Sequence, residues 1–279
     1  MAIATAGAAA DQAREKPVID RRPRVRHLGT RAAVYQSLIM ALRGLLIFRR
    51  SPQLLFDAAL LPILGPVLFG NIFGIAVAGS LQAYLPTLIP GVLVQIVLTS
   101  SVATGVQLCE DMSSGVHERF SAMPLARLAP IIGALLAGIV RYGMAAVIVV
   151  LVGTVMGYRP EHPIGCAVAV LLVVLVTVAL SWIFAYVGVT VARPTAVQGI
   201  STLILLGLTL VSNALVPTAA MPEWLRRVSA VNPVSRLVSA VRTLADTGRF
   251  GADAWWSLIG ALIVVVVLAP LTYKALRPR

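Results

Sequence analysis

From Ala58 to Cys109 the chain carries no Asp, Glu, Lys or Arg. That uncharged stretch constrains the fold more than any motif in the sequence. About 20 apolar residues suffice for one helix to span hydrocarbon, so the stretch holds two crossings. Only helices and closed barrels satisfy their backbone groups in lipid, and the alternation of barrel strands is missing here. Composition agrees with that reading. Charged residues make up 12% of the chain, about half their share in an ordinary soluble domain.

Breaks in the apolar pattern place the spans. Gly79-Ser80-Leu81-Gln82, with Pro86 and Pro90, splits the first stretch into crossings near 54–76 and 88–109. A third runs to about Tyr158, where Gly157 and Arg159-Pro160 end it. The uncharged run Pro163–Ala192, closed by Arg193-Pro194, makes a fourth. A fifth is expected at 197–216 and a sixth at 255–274. The expected fold is an all-α membrane protein of six transmembrane helices, with both termini on one side.

Basic residues orient it. Ten Arg or Lys precede the first crossing, among them Arg21, Arg22, Arg24 and Arg26, and the C-terminal tail adds three. Two more lie in the 109–130 loop and one in the 192–196 turn, against six on the opposite side. The positive-inside rule therefore expects both tails and the 109–130 loop in the cytoplasm, as in a bacterial plasma-membrane protein. Five arginines in the last outer loop work against this bias. The net charge of +12 resides mostly in the N-terminal tail, where it reads as a topology signal and a contact for anionic lipid. Aromatic residues and a folded module do not accompany these charges, so nucleic acid is not an expected partner.

Residues 1–33 read as a disordered basic cytoplasmic tail, with no apolar segment placed for a cleaved signal peptide. Residues 34–50 change character. Gln36, Arg43 and Arg50 recur every seven residues on one helical face, while Leu38, Leu42, Leu45 and Leu46 fill the others. This pattern suits an amphipathic helix in the membrane interface. The alternative is a seventh span, which Arg43 at its centre makes costly. Residues 51–279 hold the six-span domain.

Catalytic chemistry is hard to find. His27, His117 and His162 are scattered without metal-ligand spacing, and no nucleophile comes with a base and an orienting acid. Cys109 and Cys166 are expected at opposite ends of the membrane, too far apart to pair. The two lysines, Lys16 and Lys274, do not follow a Gly-rich phosphate loop, so the chain has no means of holding ATP by that device. Asp57 and Arg141 are the ionisable residues nearest a span interior, both expected at the cytoplasmic edge. They read as snorkelling side chains or one ion pair, with a transport role as the alternative.

The segment Glu110–Pro130, EDMSSGVHERFSAMPLARLAP, interrupts this apolar chain. Gly115 permits a turn, His117–Met123 suits a short helix bearing Phe120 and Met123, and Pro124 ends it. The order of acidic residue, Ser-Gly, Glu-Arg, Met-Pro-Leu and Arg127 resembles the cytoplasmic loop of ABC-2 type exporter permeases. A second match is Met221-Pro222-Glu223-Trp224-Leu225, then Asn232-Pro233-Val234-Ser235, then Ala240-Val241-Arg242. It is similar to the outer segment of the daunorubicin- and doxorubicin-resistance-type subgroup. The long basic tail and His117 depart from the family pattern.

The resemblance implies a permease that pairs with a second, identical or related permease. Each would dock a cytoplasmic ABC ATPase subunit, which binds the ATP and magnesium that this chain does not. It further implies that Gly115, His117, Glu118, Arg119, Phe120, Met123 and Arg127 form the coupling element. Amphipathic drugs, lipids or glycolipids would be moved outward. The alternatives are an ATP-independent secondary transporter or channel, or a membrane scaffold. In the outer segment, Leu237, Val241 and Leu244 share one face, opposite Ser235, Ser239, Arg242 and Asp246. Two short amphipathic helices broken at Asn232-Pro233 are expected to make a re-entrant or interfacial hairpin.

Overall fold

The structure, a computed structural model, describes residues 30–113, 129–215 and 221–276; the side chains of residues 30–33, 53, 54 and 57 lie outside that description. The described residues form nine helices: α1 Thr30–Arg50, α2 Pro52–Ala78, α3 Leu81–Ser113, α4 Ala129–Val155, α5 Pro163–Thr190, α6 Pro194–Leu210, α7 Glu223–Val231, α8 Pro233–Thr247 and α9 Ala252–Ala275. Among the described residues there is no strand. Four of the helices, α2, α5, α6 and α8, have proline as their first residue. There the missing N–H costs nothing and the fixed φ is already helical.

Five helices, α2, α3, α4, α5 and α9, are long and apolar enough to cross a membrane. The sixth apolar helix, α6, has 17 residues, about 25 Å at helical rise and at the short limit for a span. These six correspond one by one to the six expected crossings. The chain is a multi-pass membrane protein.

Several boundaries differ for identifiable reasons. The turn between the first two spans is only Gly79-Ser80, where Gly79 takes φ 73° and returns its N–H to the Ile75 carbonyl. Pro86 and Pro90 lie inside α3; neighbouring helices make proline tolerable there. Helix α4 starts at Ala129, so Arg141 lies twelve residues into it, about 18 Å along the axis and near the middle. The expected position near the cytoplasmic edge assumed a helix of minimal spanning length. Helix α6 stops at Leu210, six residues short of the expected end.

At the centre stand α3 and α5, with 72% and 61% of their apolar windows buried, against 22% for α2 and 17% for α9. Small residues let these two backbones touch. A Cβ added at Gly105 would fall 2.4 Å from the Phe184 carbonyl oxygen, and one at Gly188 would fall 2.3 Å from that of Gly105. Without a hydrophobic force between helices in lipid, such close packing supplies the adhesion. The crossing also sets the ends of the molecule. The Cys109 thiol donates to the Val191 carbonyl at one end of α5, while Cys166 sits at the other. Both are free thiols.

Helix α1 packs on α4, with Met40 over Gly133 and Gly44 beside Ala137. Its faces are disposed unlike those of a surface helix in water. Ser37 and Gly44 are buried and Gln36 and Arg43 half-buried, while Leu38, Leu42 and Leu46 are exposed. Gln36 and Arg43 of the polar stripe thus turn toward the protein, while Arg50 is exposed.

Candidate functional site

The expected coupling residues Gly115, His117, Glu118, Arg119, Phe120, Met123 and Arg127 lie outside the described residues. What the structure does show is where that loop is rooted. Asp111, near the end of α3, and Pro130, at the start of α4, line one shallow cleft with Met40, Arg43, Gly44 and Ile47 of α1. Arg43 Nη2 donates to Asp111 Oδ1 at 3.0 Å. The sequence places Arg43 on an interfacial stripe and Asp111 in the Glu110–Pro130 segment. The seven-residue repeat through Arg43 was the available signal, and it did not name a partner.

A ladder of polar side chains continues inward from that ion pair. Thr104, Gln107 and Asp111 stand at i, i+3 and i+7 on α3, one above another on a single face. Arg141 Nη2 donates to Thr104 Oγ1 at 2.9 Å, and Thr104 shares a 2.6 Å hydrogen bond with the Tyr142 hydroxyl. The Arg141 guanidinium also lies 5.9 Å from the Tyr142 ring centre, within cation–π range. Hydroxyls and an aromatic ring therefore hold this intramembrane cation. The Asp57 side chain, its expected partner, is outside the description.

The opposite end of the helices is built differently. After Leu210 the chain runs as turns and bends through Leu215, pressed against α3 at Gly91. A Cβ there would lie 1.7 Å from the Ala214 carbonyl oxygen. Side chains cap the freed carbonyls. Arg242 Nη2 donates to the carbonyls of Thr87, Asn213 and Ala214 at 2.9, 2.9 and 3.3 Å. Tyr84 Oη donates to the Leu215 carbonyl at 2.6 Å, and Asn232 Nδ2 to that of Leu208 at 2.7 Å. Asn232 Oδ1 meanwhile caps α8 by accepting from Val234 N.

Further bonds close the knot. Asn213 Nδ2 reaches Ser239 Oγ, Asn213 N donates to Ser235 Oγ, and Ser235 bonds Ser229. Leu237, Val241 and Leu244 pack into the core as expected. On the opposite face of α8, Ser235, Ser239 and Arg242 turn to the unwound segment 211–215. Among the arginines expected in the last outer loop, Arg236 pairs with Asp253 and Arg227 with Glu223. Pro233 starts α8, and Trp224 stands exposed on α7 with Val228 and Val231.

Burial, and then the nearby Glu161, pushes the Asp246 carboxyl above its usual range, with Arg242 pulling the other way. Burial likewise pushes the Tyr158 phenol upward. Among the described residues no group of three or more His, Cys, Asp or Glu is placed to hold a metal ion.

Comparison with known proteins decides the family. The family model described as ABC-2 type transporter matches residues 35–245. This chain belongs to the ABC-2 type transporter family. Its match begins in α1 and ends in α8, so it takes in the Arg43–Asp111 pair, the Arg141 cluster and the Arg242 knot. The daunorubicin resistance ABC transporter permease protein DrrB1 of Streptomyces coeruleorubidus is 34% identical over 250 residues, covering 88% of this chain and 87% of that one. The doxorubicin resistance ABC transporter permease protein DrrB of Mycobacterium tuberculosis is 27% identical, covering 94% and 99%. A putative transport permease, ycf38 of Porphyra purpurea, is 26% identical over 69% of this chain. As an ABC-2 type transporter of this kind, the chain is a membrane-spanning permease subunit.

Proposed function

We propose that this permease moves an amphipathic drug, lipid or glycolipid out of the cytoplasm, powered by ATP that a separate ATPase subunit binds with magnesium and hydrolyses. The observation that carries the proposal is the likeness along nearly the whole chain to permeases named for daunorubicin and doxorubicin resistance. Both termini and the 114–128 loop face the cytoplasm in this reading. The loop docks the ATPase, with Glu118, Arg119 and Phe120 as its main contacts. Force applied there reaches α3 and α4 at once, because both are rooted beside Arg43.

A second permease, identical or related, completes the pathway. Support comes from α6, where Thr195, Gln198 and Thr202 are exposed on one side of a membrane helix. Polar side chains in a span face protein or a water-filled path, seldom lipid. The exposed face of α7 rests among lipids at the outer interface, with Trp224 at headgroup level. Reversing both charges of the docking helix, Glu118→Arg with Arg119→Glu, is expected to abolish co-purification with the ATPase or its coupling to transport. Undiminished co-purification and transport would remove this loop from the mechanism.

A further inference from the structure

The segment 211–215, Val-Ser-Asn-Ala-Leu, contains neither Gly nor Pro, and its apolar pattern predicts a helix to residue 216. It is nonetheless unwound, and side chains from other helices take its last three carbonyls, Arg242 those of Asn213 and Ala214 and Tyr84 that of Leu215. Spanning length, which calls for more helix, and tertiary capture, which Ser212, Asn213 and the nearby Pro217 make easier, thus point to different structures. The capture is also incomplete: among the described residues, Arg242 Nε and Asn213 Oδ1 are buried with no protein partner. A partly satisfied polar network is far less secure than a full one.

Were α8 to move away, the carbonyls of Asn213 and Ala214 would lose Arg242, and that of Leu208 would lose Asn232. Unsatisfied backbone is not tolerated at membrane depth. The local remedy is to extend α6 by residues 211–215, about 7.5 Å, which brings it to ordinary spanning length. Thr87, the anchor on α3, lies in the turn bracketed by Pro86 and Pro90. One guanidinium therefore ties the unwound strand, α8 and α3 together.

We propose that Arg242 is a positioning residue for the export step: it holds residues 211–215 unwound against Gly91 in the closed state, and its release lets α6 extend and opens the outer end. The meaning of opening rests on the exporter reading, but the structural change does not. It is measured on the permease alone, with no ATPase and no substrate, so the two can fail separately.

The full chain, with Cys109 and Cys166 replaced by serine and Ala214→Cys as reporter, is labelled in intact cells with a membrane-impermeant maleimide. Ala214 is almost wholly buried, so the parent is expected to label slowly. Arg242→Gln should raise the rate on the order of tenfold or more, the scale of losing bonds to a charged donor. Arg242→Lys, which keeps charge and donors, should stay within about threefold of the parent. Adding Val211→Gly to Arg242→Gln should lower the rate several-fold, because glycine disfavours the extended helix. If Arg242→Gln does not accumulate, Tyr84→Phe frees the Leu215 carbonyl and is expected to act in the same direction. An unchanged rate in Arg242→Gln or its substitute would overturn the proposal. So would a Val211→Gly variant that labels faster, since exposure would then come from loosening and not from helix extension.

Discussion

Two regions of this molecule hold their polar groups by different means. From the 114–128 loop inward to the middle of α4, side chains bond side chains between intact helices: Arg43 to Asp111, Arg141 to Thr104, Thr104 to Tyr142. At the other end, besides side-chain pairs such as Asn213 with Ser239, side chains bond main-chain carbonyls where α6 stops: Asn232 to Leu208, and Arg242 and Tyr84 to residues 213–215. Intact helices tied through side chains shift as rigid bodies. An unwound strand held by side chains can refold locally. In the proposed export cycle, the first end would transmit force and the second would change shape.

The strongest way to break this contrast is at Gly91. Gly91→Val places branched carbon where the Ala214 carbonyl now sits. Efflux by the assembled exporter is expected to fall at least about tenfold, since overpacking costs ~1–3 kcal/mol, while co-purification with the ATPase persists. Full efflux would show that the contact at 214 carries no function.

Next in size is Thr104→Val, which removes the hydroxyl joining Arg141 to Tyr142 and leaves both without that partner. A loss of about 1–3 kcal/mol is expected, read as a lower melting temperature in detergent. The outer labelling rate should stay at the parental value. A change at the outer end would erase the independence of the two regions.

Arg43→Glu probes the loop root and should do less. The pair is part-exposed, at 38% and 28%, so its worth is at most about 1 kcal/mol. Melting is expected to fall by ~2–4 °C, with partial recovery in the exchanged pair Arg43→Glu with Asp111→Arg. Equal losses in the single and the exchanged variants would mean that the ion pair is incidental.

The smallest expected effect is at Asp246, whose carboxyl titrates above its ordinary range in the folded protein. The folded state thus holds this proton more tightly than the unfolded chain. Ionisation is therefore unfavourable to stability above the folded-state value, and that cost disappears as pH falls below it. Asp246→Asn is expected to raise the melting temperature by about 1 °C at neutral pH, as an exposed substitution does. The gain should vanish in acid. A gain that grows in acid would reverse the sign.

Much of the fold was legible because lipid leaves few solutions. The six apolar helices follow from charge gaps and from Gly79, Pro163 and Pro194, each marking a helix end or start by its own backbone chemistry. The misplacements share a cause. Arg141 was put near an edge and α6 was carried to 216 because spanning length is a minimum, and tertiary partners decide where a helix stops. The polar stripe of α1 was visible as a repeat, but periodicity does not say whether a polar face meets water or protein. At the outer site, Trp224, Asn232, Pro233 and Arg242 were singled out from their motif, while Tyr84 and Gly91 had no local signal at all. Their roles exist only once residues 211–215 fold back onto α3.

In the proposed function, this permease exports by coupling to a separate ATPase. Inverted membrane vesicles supplied with a fluorescent anthracycline, containing this chain alone or together with an ABC ATPase that co-purifies with it, give the direct test. The account predicts accumulation inside the vesicles only when both proteins and ATP are present. Accumulation by this chain alone, driven by a proton gradient and indifferent to ATP, would contradict it.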